Sequence, residues 1–207
     1  MRQGFDRIYL ASRSSRRREL LKQIDIAFDL LVLRERPSRG PDVDEAPHPG
    51  ELPDDYVRRV CRAKALAAWQ RIEERRLPRH PVLAADTAVC LDGEILGKPR
   101  NRADARRMLA GLSGREHRVL TAISLQYERR AELAVSESFV KFDLLSAGDI
   151  AAYTDTGEPL DKAGAYAIQG RAAAFITELR GSYSGVMGLP LFETAALMKR
   201  LAGDPPA

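Results

Sequence analysis

Strand-like and helix-like segments alternate along this 207-residue chain, with two hairpins among them. The strongest strand signal is the apolar run Pro81–Leu91. Asp92-Gly93 after it is a two-residue turn of the kind that closes hairpins, and Glu94–Leu96 returns. His117–Tyr127 and Leu133–Phe142 alternate as a second pair of strands around Glu128–Arg130. The flanking segments alternate strand with helix: a strand over Arg7–Ala11, a polar turn, a helix over Arg16–Ile24 and a strand over Ala27–Leu33. Helices are predicted over Asp54–Arg76, Ala103–Leu112 and, from a capping box at Ser146, up to Tyr153. A strand over Ala174–Leu179 and a helix from Pro190 to Leu201 close the chain. Hairpins inside a strand–helix alternation imply an α/β fold with a mixed sheet. The segment 34–53, with five of the twelve prolines, reads as an exposed loop, and 203–207 as a frayed tail.

The composition, 44% hydrophobic and 30% charged, is that of a globular chain and argues against disorder or a fibre. No apolar stretch approaches the roughly 18 residues of a membrane span, and Met1–Arg7 lacks the apolar core of a secretory signal. Cys61 and Cys90 stand far apart, and His48, His80 and His117 are scattered singly. This pattern argues against a disulfide scaffold or structural zinc and fits a reducing cytoplasm. The net charge of +4 is compatible with an anionic ligand, but basic and acidic residues are interleaved and no nucleic-acid module is recognisable. Only 6 of the 33 basic residues are lysines, so a lysine here hints at a need for a compact ammonium.

Three stretches offer chemistry. In Ser12-Arg13-Ser14-Ser15-Arg16-Arg17-Arg18, arginines crowd a helix N-terminus whose dipole disfavours cations. Serine hydroxyls, free amides and guanidinium forks describe a phosphate cradle; the alternative is a solvated basic turn with capping serines. In Ala84-Ala85-Asp86-Thr87, a carboxylate inside an apolar strand requires a partner, a metal or a raised pKa. If Leu91 faces Glu94, Lys98 falls opposite Thr87 and within reach of Asp86, as a catalytic neighbour or a structural ion pair. In the glycine-rich stretch 156–170, small residues permit close approach to a ligand, and Asp161, Lys162 and Gln169 supply polar contacts. Gly181-Ser182-Tyr183-Ser184-Gly185 has tyrosine where a serine nucleophile elbow needs its serine, which argues against serine-hydrolase chemistry.

Taken together, these runs resemble the Maf family. They are Leu10-Ala11-Ser12 through Leu21, Tyr56-Val57 to Lys64-Ala65, Ala84–Thr87, Ile95–Pro99, Gly157-Glu158-Pro159 to Gln169-Gly170, and Gly181–Ser184 through Thr194. They occur in family order from about residue 8 to 201. The resemblance implies a two-lobed fold with a central cleft, like that of inosine-triphosphate pyrophosphatases, and hydrolysis of a nucleoside triphosphate to monophosphate and pyrophosphate. It implies a divalent metal, Mg2+ or Mn2+, and a homodimer. By the same resemblance Asp86 is the proton acceptor, and Ser12, Arg16, Lys64 and Lys98 lie by the triphosphate. Glu45 and Asp86 hold metal, and Arg16, Thr87 and Gln169 set substrate preference.

The form of residues 161–169 is similar to the dTTP/UTP branch rather than the 7-methyl-GTP branch. A carboxamide at Gln169 offers one donor and one acceptor to the edge of thymine or uracil, though it could flip to suit cytosine. Two departures from the family pattern stand out: Ser15 replaces the usual proline, and the loop Arg34–Pro41 is longer. The expectation is a cytoplasmic, metal-dependent pyrimidine nucleoside triphosphate pyrophosphatase. Its rivals are a 7-methyl-GTP enzyme and a nucleic-acid-binding regulator of septum formation.

Overall fold

A computed structural model, describing residues 5–33 and 41–203, forms the apolar run into β3 (Val82–Leu91) inside a seven-stranded mixed sheet. Before it come β1 (Ile8–Leu10), α1 (Ser15–Gln23), β2 (Phe28–Leu30) and α2 (Pro53–Glu74). After it come β4 (Glu94–Leu96), α3 (Arg102–Leu112), β5 (Glu116–Tyr127), β6 (Arg130–Phe142) and α4 (Ala147–Asp155). The chain then runs through three 3-10 turns (Glu158–Asp161, Ala163–Ala165, Arg171–Phe175) to β7 (Ile176–Arg180), α5 (Tyr183–Met187) and α6 (Leu191–Ala202). The sheet order is β2-β1-β3-β5-β6-β7, with β4 also paired to β3. β2, β1 and β3 are parallel and the remaining pairings antiparallel, giving the mixed sheet and flanking helices of an α/β fold.

One edge of β3 is shared by two strands. β1 pairs beside Val82 and Leu83, and β4 pairs beside Val89, Cys90 and Leu91. β5 takes the whole of the other edge, from Val82 to Cys90. Between β1 and β4 the stretch 84–88 therefore faces a gap in the sheet. Pro81 and Leu83 accept from Tyr9 and Ala11 of the β1 segment, so by alternation the backbone groups of Ala85 and Thr87 turn to that gap.

Strand alternation sends the two side-chain sets of β3 to different cores. Val82, Ala84, Ala88 and Cys90 pack under α2, against Val57, Cys61, Ala65 and Trp69. Leu83 and Ala85 face α1 and α6, whereas Val89 faces α3 and the glycine-rich segment. Asp86 shares the α2 face and Thr87 the opposite one. Gly164, at φ +67°, lies so close to Val89 that a Cβ there would come within 2.7 Å of a Val89 methyl.

Local signals account for most boundaries. Ser14 caps α1 by accepting from the Arg17 amide, Pro53 opens α2 with Asp54 and Asp55 in its first turn, and Ser146 and Asp149 form the expected capping box. Several expectations shift. Only Phe28–Leu30 of the expected 27–33 strand pairs, because β1 is just three residues long. Pro190 caps α6 instead of opening it, and 183–187, which carries no strong helix signal, forms α5 behind a Ser182 cap. Of the expected loop, 34–40 lies outside the described residues, 41–52 forms no regular element and Pro53 belongs to α2. Of the expected tail, 204–207 also lies outside them. No helix among the described residues is long and apolar enough to cross a membrane.

Candidate active site

The gap beside β3 opens into a cleft of about 670 Å3, lined by the turn 11–18, Glu45, Lys64, Asp86, Lys98 and the segment 161–169. Asp86 is buried at 6% exposure, and its Oδ1 accepts from Lys64 Nζ at 2.8 Å. Lys64 Nζ also donates to Glu45 Oε2 at 2.8 Å, so one ammonium bridges two carboxylates. Asp86 Oδ2 is buried with no hydrogen-bond partner. Burial raises the Asp86 carboxyl above its ordinary range; Lys64 and Arg17 pull it back, and Glu45 pushes it further up.

Lys64 reaches this position because it follows Val60 and Cys61 by one helical turn, on the side of α2 that packs on the sheet. Glu45 comes from an irregular segment fastened to α2 by two arginines. Arg71 donates to both oxygens of Asp42 at 2.6 Å. Arg59 donates to both carboxylate oxygens of Glu51, at 2.6 and 2.8 Å, and to the backbone carbonyls of Asp44 and Ala46. The Tyr56 hydroxyl donates to the Glu45 carbonyl.

Arg17 closes the other side of Asp86. Its Nε donates to the Gly188 carbonyl at 2.7 Å, and its two terminal nitrogens donate to Ser12 Oγ at 3.1 Å and Thr87 Oγ1 at 3.3 Å. Thr87 lies 2.9 Å from Thr121 Oγ1, which donates to the Gly185 carbonyl. That commits the Thr121 proton, so Thr87 donates to Thr121 and its hydroxyl is engaged within the protein. Burial lowers the Arg17 pKa and Asp86 opposes that shift.

All the sequence-predicted residues reach the cleft: Ser12, Arg16, Glu45, Lys64, Asp86, Thr87, Lys98 and Gln169 line it. Arg16 is half-buried, with Nε 3.4 Å from the Met187 carbonyl. Lys98 and Gln169 are exposed, and their side chains make no hydrogen bond among the described residues. One expected pairing is wrong. The β3–β4 register does set Leu91 opposite Glu94, but β4 ends at Leu96, so Lys98 is not laddered to Thr87 and Asp86 pairs with Lys64. Gly97 and Pro99 after the three-residue strand end the pairing. Sequence reasoning missed Arg17 as a site residue. Its signal was phase: it precedes buried Leu20 and Leu21 by three and four positions and so shares their face of α1.

A family model described as Maf-like protein matches residues 7–201. Three similar curated proteins bear the name dTTP/UTP pyrophosphatase. That of Nitrosomonas europaea is 56% identical over 93% of each chain. That of Aromatoleum aromaticum is 56% identical over 93% of this chain and 94% of its own, and that of Ralstonia nicotianae 56% over 94% of both. The solved Ham1 protein of Staphylococcus aureus aligns with 66% of this chain and 71% of its own at 16% identity. Its TM-score of 0.41 is too low to bear on the fold or the site. The family match over nearly all of the sequence, with relatives of this identity along the same length, shows that the chain belongs to the Maf-like protein family.

Proposed function

We propose that this chain hydrolyses pyrimidine nucleoside triphosphates, dTTP and UTP foremost, to the monophosphate and pyrophosphate. The observation that carries the reading is Asp86, a buried carboxylate with one oxygen held by Lys64 and the other unpartnered, at a gap in the sheet lined with cations. The name dTTP/UTP pyrophosphatase on relatives more than half identical supports the pyrimidine substrate over 7-methyl-GTP.

In this reading Lys64, Arg16 and Lys98 supply positive charge along the triphosphate, and Arg17 holds Ser12 and Thr87 in place beside it. Asp86 accepts a proton from the attacking water, a task that its raised pKa suits. The water oxygen bonds to the α-phosphorus, the bond from that phosphorus to the bridging oxygen breaks, and pyrophosphate departs.

The donor set also fits a divalent cation. Glu45 and the unpartnered Asp86 Oδ2 are hard oxygen donors, and Mg2+ is commonly held by one or two carboxylates together with substrate phosphates. No group of three or more His, Cys, Asp or Glu side chains among the described residues could hold a metal alone, so the phosphates would complete the shell. When bound there, Mg2+ or Mn2+ would neutralise phosphate charge. A cytoplasmic location, supported by two buried free thiols, and a homodimer belong to the same reading.

The test is a panel of dTTP, UTP, dCTP, GTP and 7-methyl-GTP with Mg2+ or Mn2+, its products separated by ion exchange. Equal amounts of monophosphate and pyrophosphate, with dTTP or UTP foremost in kcat/KM, are expected. A diphosphate with orthophosphate, or 7-methyl-GTP foremost, would overturn the reading.

A further inference from the structure

Gln169 sits at the rim of the cleft, and both flanks of its turn are fixed by a hydrogen-bond network whose two side chains, Tyr153 and Glu158, do not line the cleft. On one side, the Ala167 amide donates to the Tyr153 hydroxyl at 3.2 Å. On the other, the Arg171 amide donates to both oxygens of the Glu158 carboxylate, at 3.1 and 3.3 Å. Tyr153 joins the two anchors by donating its own proton to Glu158 Oε1 at 2.9 Å. Each anchor is two residues from Gln169, and a Gly170 amide to Ala167 carbonyl bond of 3.0 Å tightens the turn between them.

The packing is as specific as the bonding. A Cβ at Gly170 would come within 2.1 Å of Glu158 Oε1, so the carboxylate occupies the space that any larger residue would need. Tyr153 is 3% exposed, and its ring meets Phe175 edge-on with centroids 5.4 Å apart. The exposed Gln169 side chain thus stands on a backbone that cannot slide without breaking bonds to two buried or half-buried groups.

We propose that Tyr153 and Glu158 are positioning residues for base recognition: they hold the 167–171 turn so that the Gln169 carboxamide meets the pyrimidine edge. The inference rests on the proposed pyrimidine triphosphate activity and adds where base selectivity is built. Neither side chain touches the cleft, so their removal acts through Gln169 and leaves the phosphate end alone.

Tyr153→Phe keeps the ring packing and removes only the hydroxyl; Glu158→Gln keeps the shape and removes the charge. Each is assayed with dTTP, dCTP and ribose 5-triphosphate, which has no base, next to Gln169→Ala and the double variant Tyr153→Phe/Gln169→Ala. Both single variants should lose about tenfold in kcat/KM for dTTP, mainly through KM; dCTP, whose edge a flipped carboxamide also meets, should lose similarly, so the preference for dTTP over the base-free substrate shrinks. Ribose 5-triphosphate turnover per folded molecule should match wild type, while the melting temperature should fall by a few degrees, as a lost buried hydrogen bond requires. The double variant should discriminate no worse than Gln169→Ala alone, since residues acting as a unit are non-additive. Wild-type selectivity in both single variants, equal losses on the base-free substrate, or additive losses in the double variant would overturn the positioning role alone. A wild-type protein that leaves dTTP and UTP intact would overturn the activity itself and the proposal with it.

Discussion

Burial holds the Asp86 carboxyl above the ordinary carboxylate range despite Lys64 and Arg17, and two consequences follow for this residue. In the proposed reading the ionised form is the base, so kcat/KM should fall as pH drops through the pKa of that carboxyl, and a divalent cation held by it should move this acid limb to lower pH. An acid limb that Mg2+ titration leaves in place would argue against a shared role in base catalysis and metal binding. Asp86→Asn should cut turnover by about 100- to 10,000-fold, the usual range for a lost general base. Lys64 keeps Glu45 as a partner, so the melting temperature should stay within a few degrees of wild type. A folded Asp86→Asn protein with near-normal kcat would make Asp86 a purely structural partner of Lys64. Asp86 was legible in the sequence because it is an ionisable group inside an apolar strand, whereas Lys64 is reached only through the family resemblance and the strand register offers Lys98 as the partner of Asp86. Arg17 was harder to single out: three consecutive arginines look alike, and only helical phase separates the inward one from its neighbours. The family resemblance puts Thr87 among the substrate-preference residues, but its bonds to Arg17 and Thr121 depend on tertiary contacts that no local pattern encodes.

Between elements, His117 of β5 has Nε2 within 2.9 Å of the Tyr166 hydroxyl and meets the rings of Phe142 and Tyr166 edge-on. It thereby links β5, β6 and the glycine-rich segment through one buried neutral imidazole. Desolvation lowers its pKa to about 4, below the ordinary 6.5. The unfolded chain therefore binds more protons between those values, and stability rises with pH across the window. The contribution, on the order of 3 kcal/mol, is fully present above the unfolded pKa and is lost as pH falls towards 4. The wild-type melting temperature should drop between pH 6.5 and 4, and His117→Gln should show a shallower slope; equal slopes would remove His117 as the cause. The Arg59 clamp is likewise a junction, between α2 and the segment bearing Glu45. Arg59→Ala should reduce turnover about tenfold at low Mg2+, and higher Mg2+ should recover much of it; a loss that Mg2+ titration leaves unchanged would argue against a role in presenting Glu45. Elements with their own signals, such as the β3–β4 turn and the Ser146 capping box, were legible. The 3-10 turns were not, because their path is set by contacts such as Gly164 on Val89 and Gly170 on Glu158.

At the scale of the whole molecule, Gly164 seals the glycine-rich segment onto the sheet: its amide donates to the Gly97 carbonyl and its missing side chain makes room for Val89. Gly164→Ala should cost about 2–4 kcal/mol, combining a left-handed backbone with overpacking, as chemical denaturation would measure. Val89→Ala should restore part of that loss in the double variant, and strict additivity would show that the clash is not its source. The shared edge of β3 has a mechanical consequence as well. One unbroken ten-residue strand runs past both walls of the cleft, laddered to β5 from Val82 to Cys90. The walls cannot swing apart as separate bodies without shearing that ladder. Any adjustment to a bound nucleotide therefore falls to the peripheral segments around Glu45 and Gln169, while the floor beneath the reacting phosphorus stays fixed.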